Sequence, residues 1–268
     1  MRLGVLIRNM GPASTRELVA AAARAADACP AVDDVWVVDH VAIPPDDAEG
    51  SGGRYLEPLA TLAYLAGVTS RVHLGTAVLV LPYRPPLLTA KWIATIQELS
   101  SERLLLGVGV GWMNAEFRAL GVDPRRRGRI TDDTLAFLDR CFANEVVESN
   151  GQPFLFKPRP ARPPIFVGGS PSHAFRRALA HRAGWLPMGL SPDVLREPAA
   201  ELRRQAEAAG LPSPEVAVLG SLPLADRAAT RDALAAYRDA GATRLIHAER
   251  YADIDDIRRM LDGIARIA

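Results

Sequence analysis

Short apolar runs alternate with longer amphipathic stretches from one end of the chain to the other. The runs are Leu3–Arg8, Asp34–Val38, Val72–Leu81, Arg103–Val108, Ile165–Val167, Trp185–Met188, Val216–Leu219 and Arg244–Ala248. Dominated by Val, Leu and Ile and bounded by Gly and Pro, they read as strands buried on both faces, the pattern of a parallel sheet. Helical stretches stand between them. The first begins after Pro12, with Ser14 as expected N-cap and Glu17 at capping-box spacing, and runs to about Cys29. The others are Pro58–Val68, a stretch from Pro85-Pro86 to Leu99, Ile130–Ala143, Pro171–Arg182, Pro192–Ala209, Arg227–Ala240 and Ile254–Ile267. Residues 145–164, rich in Pro, Gly and Asn, read as a hairpin or loop excursion, because the alternation resumes at once.

Eight strand–helix units within 268 residues predict an α/β chain folded as a (β/α)₈ barrel, one domain over residues 1–268. An open doubly wound sheet carries a glycine-rich fingerprint after its first strand. Here that turn is Arg8-Asn9-Met10-Gly11-Pro12, which does not fit.

Composition narrows the partners. A net charge of +1 argues against nucleic acid and against an anionic membrane surface. The one dense basic cluster, Arg125, Arg126, Arg127 and Arg129, reads as a solvated loop ahead of a polyanion site. The longest apolar run, around residues 74–82, is too short to span a bilayer, and the first residues are strand-like and do not resemble a signal peptide. Cys29 and Cys141 lack CxxC spacing and read as free thiols, so a cytoplasmic location is expected.

In a barrel the chemistry sits at the C-terminal strand ends. These ends carry Asn9, Asp39-His40, Thr76-Ala77-Val78, Gly109, Gly111 and Trp112, Gly168-Gly169-Ser170, Met188, Ser221 and His247. In the stretch Leu104–Trp112, glycines on alternate positions (Gly107, Gly109, Gly111) imply close backbone approach, and with Trp112 they suggest a floor for a flat ligand. Asp39-His40 is the candidate for proton transfer. A strand-end histidine satisfied by backbone is an equally good reading. Gly168-Gly169-Ser170 opens a helix, where free N–H groups bind phosphate; an ordinary N-cap in a tight turn is the plainer account. His247 reads as structural, His73 lies at the opposite face of the barrel, and His173 and His181 read as surface residues. No HExxH, G-x-S-x-G or Walker pattern occurs, which argues against a metal and leaves no obvious nucleophile. That combination suits a bound cofactor oriented by the protein.

Several segments together carry a family resemblance. They are Asp39-His40; Leu74 to Pro82 with Arg84, Pro85 and Ala90-Lys91; Leu99-Ser100 through Gly111-Trp112 with Glu116-Phe117; Arg129 and Asp132-Asp133; and Pro164 to Ser170 with Gly184-Trp185. The chain resembles the luciferase-like flavin and deazaflavin oxidoreductases over nearly its whole length, and most of all the actinobacterial subgroup that uses the deazaflavin F420. The resemblance implies that His40, with Asp39 beside it, is catalytic next to the cofactor ring. It implies a bulge with a non-prolyl cis peptide at Ala77-Val78 beneath that ring. Thr76, Ala77, Val78, Gly109, Gly111 and Trp112 would line the cofactor, and Gly168, Gly169 and Ser170 would hold its phosphate. A homodimer formed through barrel helices is also implied.

The activity implied is hydride transfer between bound F420 and a small-molecule substrate. The alternatives are an FMN-dependent monooxygenase of the same fold, a non-catalytic flavin-binding barrel, and a barrel that binds a phosphorylated substrate without redox chemistry. Trp112 stands where sugar-phosphate dehydrogenases of the family carry a catalytic carboxylate, which argues against glucose 6-phosphate. Ala183-Gly184-Trp185 replaces the Asp-Gly-Trp common among relatives. The chain is also shorter than many of them, so a lid after the seventh strand is expected to be missing.

Overall fold

In the computed structural model, which describes residues 1–267, the first half of the chain runs β1 (Arg2–Leu6), α1 (Arg16–Ala28), β2 (Asp34–Val37), α2 (Pro58–Val68), β3 (His73–Thr76), β4 (Leu79–Val80), α3 (Pro86–Leu99) and β5 (Leu104–Gly109). Next come α4 (Asn114–Ala119), α5 (Arg127–Ala143), β6 (Val146–Ser149) and β7 (Gln152–Leu155). The rest is β8 (Ile165–Gly168), α6 (Pro171–Ala180), β9 (Gly184–Leu186), α7 (Pro192–Ala208), β10 (Ala217–Gly220), α8 (Arg227–Asp239), β11 (Arg244–His247) and α9 (Ile254–Ala265).

Neighbouring strands pair in parallel in the order β10–β11–β1–β2–β3–β5–β8–β9. Parallel bridges from Trp185 to Val216 and from Met188 to Leu219 bring β9 to β10. The result is the (β/α)₈ barrel that the alternation predicts.

Successive strand residues face opposite sides, which produces two cores. Leu6, Trp36, Leu105, Phe166, Leu186, Ala217 and Ile246 fill the inside of the barrel. Their neighbours Val5, Val35, Val37, Leu104, Leu106, Val167 and Leu245 pack outward against the helices. Trp36 occupies space that a Cβ at Gly4 or Gly75 would need. At the N-terminal end of the barrel, Asp34 on β2 accepts hydrogen bonds from the Trp36 indole and from Arg244 on β11. The Asp34 and Arg244 side chains are both fully buried, and the Nε and Nη2 of Arg244 have no hydrogen-bond partner.

Three local expectations change. The run Val72–Leu81 is two strands, not one. Leu74 faces Leu104 whereas Leu79 faces Val108, so five steps on β3–β4 match four on β5. One residue is therefore extra, which is the bulge that the family resemblance implies, and the Ala77-Val78 peptide within it is cis, as that resemblance also implies. Thr15, not Ser14, caps α1, accepting the Leu18 amide at 3.2 Å. Ser14 is instead buried and donates to the Gly11 carbonyl at 2.7 Å. The third change is α4, which has only six residues and no periodic signal in the sequence. The 145–164 excursion is met as expected: it contains the antiparallel hairpin β6–β7, turned by Asn150 and Gly151, both with positive φ (51° and 75°). No helix among the described residues is long and apolar enough to cross a membrane.

Candidate active site

Beyond β2 the chain places Asp39 and His40 side by side, but their side chains have different surroundings. The Asp39 side chain is fully buried. Its Oδ2 accepts Arg84 Nη1 at 2.6 Å and the Val80 amide at 2.8 Å, and its Oδ1 accepts Arg84 Nη2 at 2.9 Å. Arg84 also donates to Glu57 at 2.7 Å. Burial pushes the Asp39 carboxyl up, and Arg84 and the Val80 amide offset only part of that. Both oxygens are committed, so Asp39 ties the end of β2 to β4 and to the approach of α3.

His40 is tied to Glu116 on α4, a residue whose side chain is completely buried. Glu116 Oε2 lies 2.9 Å from His40 Nδ1 and accepts the Tyr83 hydroxyl at 2.9 Å. Its Oε1 accepts the amides of Val41 at 2.5 Å and Ala42 at 2.9 Å. Burial pushes the Glu116 carboxyl up, but the Ala42 and Val41 amides, His40 and Tyr83 outweigh it and hold it below the usual carboxylate range. Burial and the same carboxylate push the Tyr83 phenol up, so it stays protonated. An ionised carboxylate only accepts, so Nδ1 of His40 must carry the hydrogen. Nε2 makes no hydrogen bond to any described residue, and His40 lines a cavity.

A pH dependence follows from Glu116. A carboxylate held low in the folded state contributes stability above the ordinary glutamate pKa of about 4.3 and loses it as the pH falls through the folded value. The melting-temperature gap between the wild type and Glu116→Gln should be full above about pH 5 and close in more acidic buffer. A gap that is constant down to acid unfolding would mean Glu116 is not ionised.

The cavity holds about 360 Å³ and is walled by Met10, Val38, His40, Tyr55, Ala77, Val78, Val80, Gly109, Val110, Gly111, Trp112, Gly168, Gly169 and Met188, among others. Its lining is mostly apolar. The His40 ring stands 4.9 Å from Tyr55 and 6.0 Å from Trp112, at 83° to the indole. Trp112 is 73% exposed, so one face is free to meet a ligand. Thr76 lies below the cavity wall and donates to the Gly107 carbonyl at 2.7 Å. Gly109 and Gly111 line the cavity, and the alternate glycines also make close approaches within the barrel. A Cβ at Gly107 would collide with the Thr76 carbonyl, one at Gly109 would lie 2.6 Å from Val78 Cγ2, and one at Gly111 would lie 2.8 Å from Val80 Cγ1. They admit the β3–β4 bulge, and the bulge in turn brings Val78 to the cavity.

At the other end of the cavity, Gly168 and Gly169 lead into a second cleft of about 550 Å³. Gly169 has φ +114°, and a Cβ there would meet nothing within 4 Å. Ser170 is the N-cap of α6 but makes no side-chain capping hydrogen bond; Pro171 has no N–H and the His173 amide donates to the Ser170 carbonyl at 3.1 Å, which leaves the Ser172 N–H as the first-turn donor without a partner among the described residues. Arg125, Arg127 and His173 line this cleft. All four arginines of the cluster are exposed, as expected of a solvated loop, and two of them, Arg125 and Arg127, also border the cleft beside the Gly168–Ser170 turn. Arg177, also in the wall, is engaged by Asp132 at 2.5 Å.

One histidine departs from the surface expectation: His181 is partly buried with its Nδ1 2.6 Å from Asp139. His173 is exposed as expected, and sits 2.9 Å from Ser172 Oγ at the cleft. His247 is buried, accepting the Leu222 amide at 3.0 Å through Nδ1 and lying 3.0 Å from Glu249 through Nε2. Burial lowers its pKa, consistent with a structural role. Sequence reasoning assigned no role to Glu116, Tyr83 or Arg84. The signals available were an acidic residue four positions after Trp112 and an arginine two positions after Pro82.

A family model described as luciferase-like monooxygenase matches residues 1–262. The chain belongs to the luciferase-like monooxygenase family. This luciferase-like chain is 33% identical over 169 residues to the uncharacterized protein Rv0940c of Mycobacterium tuberculosis, covering 61% of this chain and 58% of that protein. The aligned part is thus little more than half of that relative's length.

Three solved structures share the fold at low identity. The monooxygenase RslO1 from Streptomyces bottropensis superposes with a TM-score of 0.82 at 19% identity, covering 99% of this chain and 98% of that one. An F420-dependent secondary alcohol dehydrogenase in complex with an F420-acetone adduct gives 0.79 at 14% identity, covering 100% and 99%. The oxygenating constituent of 3,6-diketocamphane monooxygenase from Pseudomonas putida, in complex with FMN, gives 0.78 at 14% identity, covering 100% and 96%.

Proposed function

We propose that this luciferase-like oxidoreductase binds F420 and transfers hydride between the C5 of that deazaflavin and a small organic substrate. The observation that carries this reading is His40, locked through Nδ1 to an ionised Glu116 with Nε2 free at an apolar cavity. The residues present suit such a cofactor. Val78 and Ala77 offer an apolar floor for a planar ring, and the Gly168–Ser170 turn with the Ser172 N–H at the start of α6 offers backbone donors for phosphate. The cleft continues past that turn toward Arg125 and Arg127. That supports F420, whose acidic tail extends beyond its phosphate, over FMN, which ends there.

Bound F420 supplies a two-electron hydride carrier; the rest falls to the chain. His40 holds or donates a proton at Nε2 as the substrate oxygen changes charge. Glu116 fixes the tautomer and ring orientation of His40. Asp39 acts as a positioning residue, holding β2, β4 and Arg84 together around His40. Trp112 shapes the substrate side and covers part of it from water.

Side-by-side fluorescence titrations with F420 and FMN test this reading. F420 should bind more tightly than FMN, and reduced FMN should give no protein-dependent oxygen uptake. Tighter FMN binding with oxygen uptake would replace the proposal with the monooxygenase alternative. The phosphate turn has its own test. Gly169→Asp should weaken F420 binding roughly tenfold more than Gly169→Ala, because both strain the backbone at φ +114° but only aspartate opposes the phosphate charge. Equal dissociation constants for the two variants would remove the turn from the site.

A further inference from the structure

A separate cleft of about 640 Å³ opens beyond the upper ends of β1, β10 and β11 and shares Met10 with the His40 cavity. Arg8 reaches it from the end of β1, and Arg250 from just past β11. Among the described residues neither guanidinium donates a hydrogen bond or forms an ion pair, and the Nε of Arg8 is buried with no partner. The other arginines at this mouth differ: Arg84 is held by Asp39 and Arg177 by Asp132. The carboxylate in the cleft wall, Glu249, is turned toward His247 at 3.0 Å.

A buried N–H of a charged group without an acceptor is costly, so the arrangement calls for an acceptor from outside. Guanidinium groups match carboxylate and phosphate oxygens in paired geometry, and two of them facing one cleft make a site for an oxyanion. Met10 joins this cleft to the cavity where His40 Nε2 is free, so one molecule can occupy both.

We propose that Arg8 and Arg250 hold a carboxylate or phosphate group of the substrate, which is therefore an anionic molecule whose reacting carbon lies over the His40 cavity. The substrate role rests on the function proposed above; the anion site itself rests on the two arginines.

Calorimetric titration of the F420-loaded protein with benzoate, phenyl phosphate and the neutral analogue benzamide tests it. At least one of the anions should bind about tenfold more tightly than benzamide, and its affinity should fall as salt is added. Arg8→Met and Arg250→Gln should each lower that anion's affinity about tenfold and leave benzamide unchanged. Arg250 is exposed, so Arg250→Gln keeps the test valid should Arg8→Met fold poorly. Equal binding of anions and benzamide, or anion affinity unchanged in Arg250→Gln, would overturn the site. Weaker F420 binding with unchanged FMN binding in these variants would give the arginines to the cofactor tail and overturn the substrate assignment. Failure of the cofactor reading shows separately, as wild-type protein that binds benzoate but neither F420 nor FMN.

Discussion

Replacing His40 with alanine is expected to lower kcat by about 10²- to 10⁴-fold, the range a positioned acid–base group supplies. Cofactor affinity should change little, because the phosphate turn and the Val78 floor are untouched. The argument is geometric. Asp39 has both oxygens occupied by Arg84 and Val80, and Tyr83 gives its hydrogen to Glu116. Among the titratable groups of the cavity wall that leaves His40 and Tyr55. His40→Asn separates chemistry from architecture, since asparagine can still donate to Glu116 but offers no basic nitrogen. It should lose turnover nearly as far as His40→Ala while melting closer to the wild type. The measurement is steady-state loss of F420 absorbance with a substrate found in a panel of carbonyl compounds. Full turnover in both variants would move the proton to Tyr55 and strip His40 of its role.

Asp34→Ala is expected to cost about 3–5 kcal/mol of stability, the penalty for leaving one partner of a buried ion pair uncompensated. Arg244 is fully buried on β11, its Nε and Nη2 make no hydrogen bond, and its one other ion-pair partner among the described residues is the part-exposed Glu215, 3.6 Å from Nη2. Without Asp34 the guanidinium would sit in the barrel with little to neutralise it, and the Trp36 indole would lose its acceptor. Urea unfolding checks this through the midpoint at constant slope. The double variant Asp34→Ala with Arg244→Met should recover part of the loss, because removing both charges is cheaper than removing one. A single-variant cost below about 1 kcal/mol would mean that water reaches Arg244.

The barrel was legible because its strands are apolar on both sides and its helices amphipathic, so each element announces itself locally. The helix Pro58–Val68 appears at the predicted bounds. The bulge in β3–β4, with its cis Ala77-Val78 peptide, was expected from the family resemblance, although no periodicity within the run displays it. What stayed hidden depends on contacts between distant segments. Glu116 sits on a helix of six residues, too short to show a period, and its role appears only when α4 folds over the end of β2. Arg125 and Arg127 look like a charged loop until α5 brings them opposite the start of α6. The glycines at 107, 109 and 111 were conspicuous, but the sequence does not distinguish close approach to a ligand from close approach to a neighbouring strand.

That last point bears on any attempt to alter what the protein accepts. Val78 is wedged between Gly109 and Gly168, with a hypothetical Cβ on either glycine coming within 2.6 and 3.0 Å of it. Enlarging either glycine would therefore lift the cavity's base and spoil it for every occupant alike. New selectivity has to come from the rim, where Trp112 and Met188 are 73% and 57% exposed and can change size without disturbing the sheet beneath.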